Sequence, residues 1–224
     1  MTPSERHAAL DAIAAEVRAC RRCRLAEART NAVPGEGHPD TEVLFVGEGP
    51  GETEDRQGRP FVGRAGQFLV RLLGSLGWRR EEVFITNVVK CRPPGNRDPQ
   101  PDEIEACYPY LRRQIEVLEP ALIVTLGRFS MARFRPGARI SQVHGSHVPA
   151  DPAAAPATAL VYSLYHPAAA LRSQEVERQS YDDAAGIPAA LEAARRRRAG
   201  AETSDPPPLG AVAPTTPTLF QAET

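Results

Sequence analysis

The chain has 224 residues, a formal net charge of −1 and four cysteines. That length suits one domain with a substantial core, and the near-zero charge excludes a globally basic nucleic-acid binder while leaving room for a local basic face. No run is long and apolar enough to span a bilayer, and the opening MTPSERHAAL lacks the apolar stretch of a secretory signal, so the expected setting is the cytoplasm, where disulfides are rare and cysteines serve metal or redox chemistry.

In chain order, residues 5–19 predict a helix, because Leu10, Ile13, Ala14 and Val17 share one face. CRRC follows, a C-x2-C pair made by Cys20 and Cys23. A loop over 34–40 leads to the apolar strand 43–47, which opens into the glycine-rich turn GEGPGETED. Residues 66–76 predict a helix and VFITNVV, 83–89, a second strand. The loop RPPGNRDPQPDE comes next, with Asp102 as the expected cap of a helix over 103–118. LIVTLG, 122–127, is a third strand, followed by a short helix over 128–134. A fourth strand at 160–164 runs into YHPAAALR, and a last helix is expected over 182–198. Apolar strands alternating with helices predict an α/β fold with a parallel sheet covered on both faces, its chemistry in loops at the strands' carboxyl ends.

The expected domain is therefore 1–198. Residues 199–224 are rich in Pro, Ala and Thr, carry a charge of −3, and read as a disordered tail; the domain itself then carries +2. Lys90 is the only lysine.

The turn after the first strand is not a nucleotide cradle. A dinucleotide fingerprint needs a third glycine where Glu52 stands, and no Gly-Lys-Ser/Thr follows for a P-loop. Clustered carboxylates would also repel a pyrophosphate. The four cysteines, Cys20, Cys23, Cys91 and Cys107, comprise one close pair and two distant residues. Four thiolates suit either tetrahedral zinc or an iron–sulfur cluster, and spacing does not separate the two.

Three segments together carry a resemblance: GEGPGETEDRQGRPFVGRAGQFL, FITNVVKCRPPGNRDPQPDEIEAC and YHPAAALR, with CRRC beside them. They closely resemble the motifs of the family 4 uracil-DNA glycosylases, over about residues 15–195. The resemblance implies a three-layer α/β/α sandwich with a central four-stranded parallel sheet. It implies a structural [4Fe–4S] cluster on the four cysteines. It implies uracil-containing DNA, single- or double-stranded, as partner, with the base flipped out of the stack.

Site roles follow from the same resemblance. Phe61 would stack on the extruded uracil. Asn87 would offer its amide to O4 and N3–H, a pattern that cytosine mismatches. His166 would hydrogen-bond O2 as charge builds on the leaving base. Gly47, Glu48 and Gly49 would shape the wall that holds the water, with Glu48 and Glu54 as candidate helpers. The best-studied branch of the superfamily has an aspartate where Gly49 stands and a thymine-excluding tyrosine where Gly51 stands, so this chain departs from that branch at both positions.

Lys90 adjoins a presumed cluster ligand and is poorly placed for Schiff-base attack, so the expected enzyme is monofunctional. It is also expected to be a monomer. A sister group binds abasic DNA covalently through a histidine after the second strand, but CRPPGNRDPQP has none. A cluster-bearing binding module without chemistry would leave Asn87 and His166 unexplained. Within the tail, Leu219 and Phe220 resemble peptides that dock on sliding clamps.

Overall fold

A computed structural model describes residues 1–203. Leu219, Phe220 and the rest of 204–224 lie outside the described residues. Six strands form one sheet: β1 (Glu36–Gly37), β2 (Val43–Gly47), β3 (Phe84–Asn87), β4 (Leu122–Leu126), β5 (Ser146–Pro149) and β6 (Leu160–Leu164), in the order β1-β3-β2-β4-β6-β5. The inner four are parallel, which is the expected central sheet. Two short antiparallel edges, β1 on β3 and β5 on β6, were not anticipated.

The helices are α1 (Pro3–Ala19), α2 (Leu25–Ala28), α3 (Glu52–Gln57), α4 (Arg64–Ser75), α5 (Pro101–Leu118), α6 (Arg128–Phe134), α7 (Ile140–Val143), α8 (Pro167–Ala170), α9 (Gln174–Ala184) and α10 (Ile187–Thr203). Strand alternation divides the core between two faces. On β2, Leu44 and Val46 pack toward α1 and α5, while Val43 and Phe45 pack toward α4, α9 and α10. These are the three layers.

Local chemistry sets the ends. Thr2 and Glu5 form a capping box that starts α1. α5 begins earlier than expected: Gln100, not Asp102, is its N-cap, its amide bonded to Glu103, with Pro101 in the first turn. The Asp102 carboxylate instead pairs with Arg24. The helix expected over 182–198 is two helices broken after Ala184, and the second runs on to Thr203. The break lies over Tyr162, whose hydroxyl bonds to the carbonyl of Asp183, 2.7 Å away. A Cβ on Gly186 would lie 2.4 Å from that hydroxyl.

The route of the chain creates the crevice. β2 leaves through α3 and α4 on one face, and β3 leaves through α5 on the other. Their carboxyl ends diverge at a topological switch point, where ligands bind in open α/β sheets.

Candidate active site

β2 and β3 run in parallel register with Gly47 opposite Asn87. The pairing continues beyond the strands, as Val88 N donates to Gly47 O and Val89 N to Glu48 O. Those two carbonyls are thus engaged by the main chain. Asn87 is 1% exposed, and its Oδ1 has no hydrogen-bond partner. A buried amide oxygen without a donor costs roughly 1–3 kcal/mol, so a fold that keeps one has a reason. Gly47 makes the approach possible: a Cβ there would lie 2.4 Å from Asn87 Oδ1 and 2.5 Å from the Phe61 ring.

Phe61 holds a left-handed backbone, φ 50°, which a bulky residue adopts only when neighbours enforce it. Three groups do so. Arg80 donates to the carbonyls of Phe61 and Pro60 and pairs with Glu36. Glu54 Oε1 accepts from Val62 N at 2.9 Å and Gly63 N at 2.7 Å. Gly66 packs under the Phe61 carbonyl so closely that a Cβ would lie 1.9 Å from it. The ring faces His166, with centroids 6.0 Å apart.

His166 is the N-cap of α8, and its Nδ1 accepts from Ala168 N at 3.1 Å. That bond assigns the proton to Nε2. Burial drives its pKa down to about 4, so the ring is neutral at physiological pH. Glu48 is partly buried near Asp98, and desolvation first, then Asp98, raises its carboxyl above the usual range.

One cavity of about 420 Å³ gathers Glu48, Gly49, Glu54, Phe61, Asn87 and His166. Gly47 stands behind them as a spacer. The structure gives Glu54 a different task from the water-holding one expected of it: one of its oxygens braces the 62–63 turn. The other lies 2.9 Å from where a Cβ on Gly51 would be, in the space a larger side chain at 51 would need. Sequence reasoning missed Arg172, Asn96 and Asp98, which also line the cavity. Arg172 closes the quoted motif YHPAAALR, and that was its only signal.

On the far side of β3, all four cysteines line a second cavity with Arg29, Lys90 and Tyr110. None is in a disulfide. Arg29 Nη1 donates to Cys91 Sγ at 3.0 Å, and Lys90 N to Cys107 Sγ at 3.2 Å. Burial pushes the Cys107 thiol up to about 12 and raises that of Cys91. Among the described residues, no three His, Cys, Asp or Glu side chains converge as ligands of a single ion would. Around zinc, thiolates stand about 3.8 Å apart. Lys90 is 1% exposed; its Nζ donates to Thr86 Oγ1 at 2.5 Å, Gln114 Oε1 at 2.7 Å and Asn87 O at 2.8 Å. Burial lowers its pKa to about 7.

Comparison with known proteins gives a consistent result. The profile of the Uracil DNA glycosylase superfamily matches residues 34–185. A type-4 uracil-DNA glycosylase of Saccharolobus solfataricus is 47% identical over 197 residues, covering 81% of this chain and 86% of that protein. One from Sulfurisphaera tokodaii is 61% identical over 122 residues, 54% of this chain and 56% of that protein's length. A type-5 uracil-DNA glycosylase of Thermus thermophilus is 36% identical over 139 residues, 52% of this chain and 62% of that protein.

Proposed function

The chain belongs to the Uracil DNA glycosylase superfamily, in its type-4 group, and on that premise we propose that it hydrolyses the bond between uracil and deoxyribose in DNA, leaving an abasic site. The observation that carries this reading is the orphaned Asn87 amide, buried beside a neutral His166 whose tautomer is fixed. A flipped uracil enters between Phe61 and this pair. Asn87 Oδ1 accepts from N3–H, and its NH2 group donates to O4. Cytosine has an acceptor at N3 and a donor at C4, so both contacts become repulsive.

Cleavage leaves negative charge on the base. The His166 Nε2–H donates to O2 as that charge develops, and a neutral donor is sufficient. The sugar becomes oxocarbenium-like and takes up a water. Glu48, with its raised proton affinity, accepts the water's proton at its carboxylate. Glu54 occupies the room that a residue larger than glycine would need at 51, and we assign it the rejection of a 5-methyl group. Lys90 Nζ is enclosed by three acceptors, so the enzyme is monofunctional.

The cysteine cavity fits a [4Fe–4S] cluster held by Cys20, Cys23, Cys91 and Cys107. Four sulfurs line it without a carboxylate or imidazole, and N–H donors already point at them. When bound, the cluster would join α1, the β3 loop and α5 as a structural staple. The enzyme acts as a monomer in the cytoplasm; no helix among the described residues is long and apolar enough to cross a membrane. Leu219 and Phe220 tether it to a sliding clamp, so deleting residues 216–224 abolishes binding to purified clamp and leaves excision from a short oligonucleotide intact.

The decisive experiment is incubation with a uracil-containing oligonucleotide followed by alkaline cleavage. Strand scission that depends on uracil and on alkali is the expected result. Scission without alkali overturns the monofunctional assignment, and no scission overturns the enzyme.

A further inference from the structure

The segment VRACRRCRLAEAR, residues 17–29, sets five arginines against one glutamate on a chain of net charge −1. Such imbalance ordinarily disperses into solvent. Here the fold gathers Arg18, Arg21 and Arg29 around one depression of about 560 Å³ and adds Arg59 from beyond α3. Thr30, Asn31 and Gln57 supply polar wall, and no carboxylate lines the depression.

The four guanidiniums are not equivalent. Arg59 is neutralised by a two-pronged pair with Glu36. Arg29 is spent on the carbonyls of Arg18 and Cys20 and on Cys91 Sγ, so it is fixed in place yet keeps its charge uncompensated by any carboxylate. Arg18 and Arg21 are exposed and have no carboxylate partner among the described residues. Three uncompensated positive charges thus face one hollow that admits an anion.

Its position gives the hollow a meaning. The catalytic cavity is walled by Gly51 and Glu54 at the start of α3, and the basic hollow by Gln57 and Gly58 at its end. A six-residue helix spans about 9 Å. One strand of B-form DNA advances about 3.4 Å per nucleotide, so the two sites stand roughly three nucleotides apart. Arg59 and Phe61 lie two residues apart on the segment that joins them.

We infer that this hollow is a phosphate-binding site, which holds the DNA backbone about three nucleotides from the extruded base and so sets the strand's register over the catalytic cavity. The inference rests on the glycosylase reading for its substrate. Phosphate contacts position a duplex without reading its sequence, as an enzyme that must find uracil in any context requires.

The test is the double charge reversal Arg18→Glu/Arg21→Glu. Both side chains are exposed and neither touches the catalytic cavity, so an unchanged melting temperature certifies the fold. Binding to a uracil-containing duplex is measured across a salt series, together with excision kinetics. The slope of log Kobs against log[salt] should shrink by about two, from roughly −0.9 per phosphate contact. KM should rise about tenfold or more at low salt, while the single-turnover rate at saturating DNA stays at the wild-type value. Trimming the oligonucleotide from either end supplies the register: the gap between wild type and variant should close when fewer than about three nucleotides remain on one side. An unchanged slope and KM, with wild type excising uracil normally, overturn the phosphate site and leave the enzyme standing. Wild type that excises nothing overturns the glycosylase reading, while the slope difference still reports on the hollow.

Discussion

The same eight residues, 84–91, build two sites that treat polar groups oppositely. At Asn87 the fold buries an amide oxygen and gives it no donor. Four residues later the Cys91 sulfur receives a guanidinium N–H, and the neighbouring Cys107 sulfur receives the main-chain N–H of Lys90. A vacancy of hydrogen bonding marks a place where a ligand comes and goes. Sulfurs with donors already in place mark a place where a bound group stays. Lys90 spans the difference, its amide on a cysteine and its ammonium on the carbonyl of Asn87.

The comparison breaks most sharply under alanine substitution. Asn87→Ala and His166→Ala should each slow single-turnover excision by about 10²–10³, the effect of roughly 3–4 kcal/mol lost from a developing charge. Cys107→Ser should do the reverse. Soluble yield and melting temperature should fall, along with the broad visible absorbance expected of anaerobically purified protein, while the folded fraction excises uracil at close to the wild-type rate. Near-normal rates in both catalytic variants would remove the site assignment; colourless wild type holding stoichiometric zinc would remove the cluster.

Gly47→Ala sharpens the catalytic half. Its Cβ would press on Asn87 Oδ1 and the Phe61 ring, both of which face the base. Excision should drop about 10- to 100-fold with little loss of stability, because the space invaded is ligand space. Gly66→Ala is the control. Its Cβ meets the Phe61 backbone inside the packed fold, so a lower melting temperature should accompany any lost activity.

Much of this was legible beforehand, for a physical reason. Inner parallel strands are buried on both faces, so Val43–Gly47, Leu122–Leu126 and Leu160–Leu164 read as unbroken apolar runs. The edges are different. Glu36–Gly37 has no apolar side chain, and Ser146–Pro149 alternates between half-buried and exposed; both exist through main-chain pairing, which leaves little trace in side-chain pattern. The break between α9 and α10 was hidden because its cause, Tyr162, is distant in sequence. Within the site, Asn87, His166 and Phe61 were named through motif resemblance, and the structure gathers them. That Glu54 braces Val62 and Gly63 depends on a turn returning eight residues later, which no local pattern announces. The arginine hollow joins residues 18–32 to 57–59, so it exists only in the fold.

A smaller effect joins the two halves. Lys90→Met keeps the length of the side chain and removes three hydrogen bonds, leaving the acceptors on Asn87 and Gln114 without that donor. The expected cost is about tenfold in excision rate, with a weaker preference for uracil over cytosine because the Asn87 main chain is less firmly held. A purely structural lysine would lower the melting temperature and leave that preference untouched.

The smallest expected effect is a flat one, and it concerns pH. In the folded protein His166 binds its proton only near pH 4, whereas an unfolded histidine does so near 6.5. Between those values the unfolded chain holds more protons, so stability rises with pH across the window and this contribution is complete above about 6.5. Denaturant titrations from pH 4 to 7 should show that rise in wild type and a shallower one in His166→Gln. Catalysis should not follow the same curve. The neutral Nε2–H donor is present throughout pH 5–8, so His166 gives the rate no acid limb there. Any limb belongs to Glu48, whose carboxyl burial shifts above the usual range. Glu48→Gln should therefore leave a slower but level profile. A limb that survives in Glu48→Gln at its wild-type position would return the titration to the histidine and remove Glu48 as the group that takes the water's proton.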